Sequence, residues 1–193
     1  MAGMAVVLLT PRFVAHYPAL AQPKGMPGAE PRYSVLAVWR PSEFSDEEAG
    51  LWKAIREAVG GLAANQKETT HWGIRSGDEK PEIVGSGGFF ATLSSKFPVP
   101  VFGPGGEEIR GEPEIETAAQ AGRLARAEVR PYAWNFMARE GVSLGLHSIQ
   151  LLEGVEEVAA PRSSGKIYRE VPVAGVPAPP PAPAPSPAPG TSS

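Results

Sequence analysis

One capped helix stands in this sequence among at least six short strand-like stretches, and that ratio constrains the fold more than any other feature. The helix start is written in Ser45-Asp46-Glu47-Glu48. The Ser45 hydroxyl can accept the amide hydrogen of Glu48 while the Glu48 carboxylate reaches back to the Ser45 amide, a capping box. Trp52, Ile55 and Val59 follow at spacings of three and four, and Gly60-Gly61 supplies a left-handed stop, which predicts an amphipathic helix of about four turns. Thr10 to Tyr17 and Tyr33 to Arg40 read as strands, separated by a loop rich in proline and glycine. Phe89 to Phe97 and Val99 to Phe102 follow, cut by Pro98 and Pro100 and closed by Gly103-Pro104-Gly105-Gly106. Arg123 to Trp134 and Val142 to Leu152 form the last pair, joined by a turn around Glu140-Gly141. Asn65 to Gly88 reads as a polar loop with a short strand, and Thr117 to Gly122 as one helical turn. Without strand-helix alternation or an internal repeat, the pattern predicts a mainly β chain folded as a closed barrel or a sandwich.

The chain has 193 residues, and all 18 Lys+Arg and 21 Asp+Glu fall at or before Glu170. Residues 171–193 hold nine of the 22 prolines and no aromatic ring, so they cannot bury enough apolar surface to offset the entropy of ordering. This predicts a folded domain over 1–170 and a disordered, polyproline-biased tail over 171–193. Zero cysteines exclude a disulfide scaffold, thiolate-bound zinc, iron–sulfur clusters and thiol catalysis. No apolar run approaches the roughly 20 residues of a membrane span, and Met4 to Leu9 is too short and lacks the basic flank of a signal peptide, so a cytoplasmic location is expected.

Enzymatic chemistry finds little support. His16, His71 and His147 lie far apart with no ligand spacing, and no metal or other cofactor is expected. Gly85-Ser86-Gly87-Gly88 and Gly103 to Gly106 fit neither a dinucleotide fingerprint nor a phosphate loop and read as turns. No GxSxG elbow supports a serine nucleophile.

Charge is segregated, although it sums to -3. Arg123, Arg126, Arg130 and Arg139 outweigh Glu128, whereas Glu107, Glu108, Glu112, Glu114 and Glu116 surround a single Arg110. Basic strands beside acidic loops can present one face to a polyanion. Along Arg123 to Trp134 the two-residue period puts Arg123, Ala125, Ala127 and Val129, small and mostly apolar, on one face and Leu124, Arg126, Glu128, Arg130, Tyr132 and Trp134 on the other. Cations and rings on one face suit single-stranded nucleic acid, with guanidinium groups for phosphates and flat rings for bases. Core aromatics with solvated arginines would give the same spacing. Pro131 cannot donate to a ladder, so this end is expected at an edge or bulge. Arg12 beside Phe13, the rings Tyr33 and Trp39, and Lys96 beside Phe97 are further candidates, each also readable as core plus solvated charge.

The residues also carry a resemblance. Pro11 to Pro18, Tyr33 to Trp39, Trp72 to Asp78, Phe89 to Lys96, and Val129 to Trp134 followed by Gly141-Val142-Ser143-Leu144-Gly145-Leu146 and Ile149-Gln150 resemble, in that order, a family of phage-encoded single-stranded-DNA-binding proteins related to the replication proteins of T-odd phages. The resemblance implies an OB-type barrel of five or more strands with one amphipathic helix and long loops. It implies non-catalytic, largely sequence-independent coating of single-stranded DNA in phage replication, recombination and repair, within the host cytoplasm. Arg12, Lys96, Arg126 and Arg130 would hold the backbone, and Tyr132 and Trp134, with Tyr33 and Trp39 as further rings, would stack bases. Phage or host replication and recombination proteins are further implied partners, and a homodimer is a candidate assembly. Two departures stand out: Gln120 replaces a tyrosine two residues before Gly122, and the C-terminus is neutral where relatives are acidic. The alternative is a β-barrel interaction or virion module whose proline-rich tail is a spacer.

Overall fold

The computed structural model describes residues 6–25, 27–137 and 139–156. The boundary expected at residue 170 and the tail over 171–193 lie outside them. The described chain runs β1 (Leu8–Leu9), β2 (Phe13–Lys24), β3 (Arg32–Trp39), α1 (Asp46–Ala64), β4 (Thr69–His71), β5 (Arg75–Ser76), α2 (Pro81–Val84), β6 (Phe89–Ser95), β7 (Val101–Phe102), β8 (Glu108–Ile109), α3 (Glu112–Ala118), β9 (Arg123–Phe136) and β10 (Arg139–Val155).

Five of these strands close on themselves. β9 pairs β2, β2 pairs β3 and β3 pairs β6, all antiparallel; β6 pairs β10 in parallel, and β10 returns to β9 along nearly its whole length. This ring is the five-stranded OB-type barrel. Closure removes the free edges that a strand-rich chain would otherwise expose. β1 extends the sheet beside β9, the β7–β8 hairpin extends it beside β10, and short β4 and β5 pair β10 and β6.

Alternation decides what goes inside. Val35, Ala37 and Trp39 of β3 point inward with Phe13, Ala91, Leu93, Ala125, Ala127, Val129, Leu144 and Ile149, all buried. Helix α1 covers this core with Trp52, Ile55, Val59 and Ala63. Trp52 is the hub, its ring 5.3 Å from Trp39, 5.4 Å from Phe89 and 5.9 Å from Phe44. Burying Ile55 completely contributes ~1.5–3 kcal/mol. On the outer face α2 covers a second, smaller cluster of Val14, Leu36, Val38, Val84 and Phe90.

The capping box forms as the sequence predicts: the Ser45 hydroxyl accepts from the Glu48 amide, and Glu48 Oε2 accepts from the Ser45 amide at 2.9 Å. Burial raises the Glu48 pKa, but hydrogen bonds from the Ser45 backbone and the nearby Arg12 guanidinium outweigh it, and the carboxyl sits below its ordinary value.

Four local expectations are corrected. Helix α1 runs through Gly60 and Gly61 to Ala64, because Ala63 is drawn into the core and Asn65 closes the end by donating its side-chain amide to Gly61 O at 2.9 Å. Strand β2 continues past Tyr17 to Lys24; Tyr17 takes a positive φ of 47° where the register with β3 shifts. The helical turn expected over Thr117 to Gly122 lies earlier, as α3, started by Pro113 near its N-terminus. The β9–β10 turn falls after Phe136, not at Glu140-Gly141, and Gly141 is a strand residue paired with Trp134.

Candidate nucleic-acid interface

On the outer surface of the barrel a groove of about 520 Å³ opens across β3, β6, β10 and β9. Its first wall is the end of β9. There Tyr132, Trp134 and Phe136 occupy successive outward positions, Tyr132 36% and Phe136 64% exposed. Its floor is polar and small: Thr92 and Ser94 of β6, and Ser143 of β10. The second wall is the segment after β4, with His71, Trp72 (49% exposed) and Arg75, and Arg32 of β3 stands at the rim.

Trp134 is held from three sides. Its Nε1 donates to Ser143 Oγ at 2.9 Å, its ring lies 5.8 Å from the His71 ring, and its indole covers Gly141. Gln66 Nε2, just beyond the end of α1, donates to Gly141 O at 2.8 Å and ties that segment to this point. Gly141, opposite Trp134, therefore lets the indole lie along the sheet. Gly145, paired with Arg130, lies beside the Tyr132 ring, where a Cβ would make only ordinary contact with Tyr132 Cε1 at 3.6 Å. Beyond Val129, the last residue paired with β1, β9 pairs only with β10, so Pro131 sits where its missing donor costs nothing.

The cations around the groove are arranged in two ways. Arg75 lies 4.6 Å over the Phe90 ring and pairs with Glu79 at 3.2 Å. Lys96 and Arg32 share one carboxylate, Glu30, at 2.7 and 3.8 Å. The hydrogen bond from Lys96 is the main reason the Glu30 carboxyl lies below its ordinary pKa.

The sequence-predicted residues are thus partly brought together. Tyr132 and Trp134 face the groove, and Arg130 is exposed on the same outward row of β9. Lys96 reaches the rim through Glu30. Arg126 also faces outward, but at the far end of the β9–β10 ribbon, in a second pocket. Trp39 is a correction: it is 0% exposed, its Nε1 donating to Pro11 O, and cannot stack a base. Tyr33 is half-buried and packs against the core, on the inward row with Val35 and Ala37. Arg12 pairs with Glu48 at 3.1 Å beside Glu43 and Phe44, away from the groove.

Trp72, Phe136, Arg32, Arg75 and His71 were not among the predicted contacts. Phe136 was within reach, since it continues the row of Tyr132 and Trp134. Trp72 and Arg75 lie in an irregular segment with no periodicity to read. Among the described residues no cluster of three or more His, Cys, Asp or Glu is placed to hold a metal ion, and no helix is long and apolar enough to cross a membrane.

No protein-family model matches this sequence, and no curated protein matches it. Solved structures do. The single-stranded DNA-binding protein of bacteriophage Enc34, in a C-terminally truncated form, is 21% identical with a TM-score of 0.66, over 77% of this chain and 86% of that one. The same protein in complex with single-stranded DNA is also similar, at 21% identity and a TM-score of 0.66 over 79% of this chain and 88% of that one. The single-stranded DNA-binding protein gp2.5 of bacteriophage T7 is 18% identical with a TM-score of 0.50, over 84% and 98%. The chain thus shares the fold of these phage proteins.

Proposed function

We propose that this chain is a non-catalytic protein that coats single-stranded DNA, with little dependence on sequence, in phage replication, recombination and repair. The observation that carries the reading is the coincidence of the groove with the part of an OB barrel suited to oligonucleotides. Such barrels bind through the face of their second and third strands and through the loops joining strands one to two and four to five. Here the second and third barrel strands are β3 and β6, which supply Arg32, Thr92 and Ser94. The first loop carries Glu30, and the last hairpin carries Tyr132, Trp134 and Phe136.

Bases stack on Tyr132 and Trp134, each ring contributing about 1–3 kcal/mol whatever the base. Phe136 and Trp72 extend the stacking surface, and Arg130, Arg32, Arg75 and Lys96 meet the phosphates. The similarity in fold to the Enc34 protein, solved with single-stranded DNA, supports single-stranded DNA as the ligand.

Titration with a thymidine oligonucleotide at low salt tests it. Tryptophan quenching that weakens as salt rises is expected. No binding would leave the barrel as a protein-interaction or virion module, and duplex bound as tightly as single strand would remove the stacking mechanism.

A further inference from the structure

The β9–β10 ribbon carries a second pocket at the end opposite the aromatic groove, about 380 Å³ in volume and so within the roughly 300–1,000 Å³ of small-ligand sites. Its floor is Arg126 and Glu128 of β9 with Ser148 and Gln150 of β10; Leu9 of β1 and Phe102 of β7 form apolar walls on either side. The registers fix this arrangement. Leu9 is opposite Glu128, Glu128 is opposite Ser148, and Gln150 stands between Arg126 and Phe102.

The polar floor is held in place but not used up. Arg126 Nε donates to Gln150 Oε1 at 2.9 Å, and Gln150 Nε2 donates to Gly103 O and Pro104 O at 3.3 Å each, tying the floor to the β7–β8 turn. Ser148 Oγ donates to Glu128 Oε2 at 2.8 Å. Among the described residues both terminal guanidinium nitrogens of Arg126 and the Oε1 of Glu128 have no partner. A two-donor fork and a carboxylate acceptor therefore stand side by side on one strand face, ~6.7 Å apart along the chain, between two apolar walls. This differs from the aromatic groove, whose rings would accept any base.

The two pockets share one track. Arg126, Glu128, Arg130, Tyr132 and Trp134 are successive outward residues, and the nine residues from Arg126 to Trp134 span about 26 Å, room for several nucleotides.

We propose that this second pocket receives an unstacked guanine of the bound strand and reads its edges. Arginine donates two hydrogen bonds to the O6 and N7 of guanine. A carboxylate beside it can accept from the N1 and N2 hydrogens of the same base, and no other base offers two acceptors and two donors on adjoining edges. The pocket adds a guanine preference to a grip that is otherwise indifferent to sequence. The inference rests on the single-strand reading above.

The test compares full-length protein on thymidine oligonucleotides of about 16 nucleotides, the upper end of OB-fold site sizes, with and without one central guanine, adenine or cytosine. The expected result is about tenfold tighter binding of the guanine strand, within what one bidentate contact discriminates. Arg126→Ala and Glu128→Gln, both at exposed positions, should each remove that preference, and Glu128→Gln should leave affinity for pure thymidine within about twofold. Equal affinity for all four strands overturns the inference while leaving single-strand binding intact. A guanine preference that survives both substitutions also overturns it, because it then comes from stacking on the rings. Failure of every oligonucleotide to bind overturns the single-strand reading and this inference together.

Discussion

The indole of Trp134 covers the backbone of its cross-strand partner Gly141 so closely that a Cβ built there would lie 2.7 Å from Trp134 Cε2 and 2.9 Å from His71 Cβ. Gly141→Ala should therefore act on the ring and not merely on the strand. Overpacking at a well-filled site costs typically 1–3 kcal/mol. The expected outcome is a small loss of stability in urea with a larger, several-fold loss of oligonucleotide affinity. If Gly141→Ala binds as the parent does, the position of the indole is irrelevant to binding.

Trp39 and Trp134 should behave as opposites. Trp134→Ala is expected to weaken single-strand binding by about 1–3 kcal/mol and leave the unfolding transition cooperative. Trp39→Ala removes a fully buried ring against Phe13 and Trp52, and should cost about 3–5 kcal/mol of stability. Denaturant midpoints read beside binding isotherms separate the two.

Salt dependence distinguishes cations on the track from those off it. Arg130→Ala should lower the slope of log affinity against log salt by about one unit. Arg12→Ala should not change it, since that guanidinium is engaged with Glu48 and the backbone of Glu43. Glu30→Gln releases both Lys96 and Arg32 and should raise affinity several-fold at low salt.

Acid should destabilise the barrel through His16. The imidazole is 4% exposed; burial, with the Arg40 guanidinium beside it, holds its pKa below the ordinary value against the opposing pull of Glu156. The unfolded chain takes up a proton near pH ~6.5 that the folded chain refuses, so this contribution is intact above that pH and is lost as pH falls toward the folded pKa. Urea unfolding between about pH 7.5 and pH 5 should show the decline. His16→Asn should flatten it, and His147→Asn, at an exposed position, should not.

Much of this was legible in the sequence where one physical rule acts alone. The Ser45–Glu48 box needs only local geometry, and it formed. The row of Arg126, Arg130, Tyr132 and Trp134 needs only strand period, and it faces outward. Trp39 shows where a locally sound pairing went wrong: on β3 it shares its row with Val35 and Ala37, an apolar row that alternation alone assigns to the core. Trp72 and Arg75 were not legible as contacts, because their place in the groove depends on how an irregular segment crosses β10 and β6. Gly60-Gly61 misled because tertiary burial of Ala63 outweighs the preference of glycine for stopping a helix.

The four tryptophans divide evenly, and the division bears on measurement. Trp39 and Trp52 lie inside the barrel, whereas Trp72 and Trp134 line the groove. One chain thus carries two independent sets of fluorophores: an inner pair that reports whether the polypeptide is folded, and an outer pair that reports whether the groove is occupied. Quenching by a saturating ligand should accordingly plateau with the inner emission still present, and unfolding should then shift only what remains. Binding and folding can be followed at once in the same cuvette without any added label.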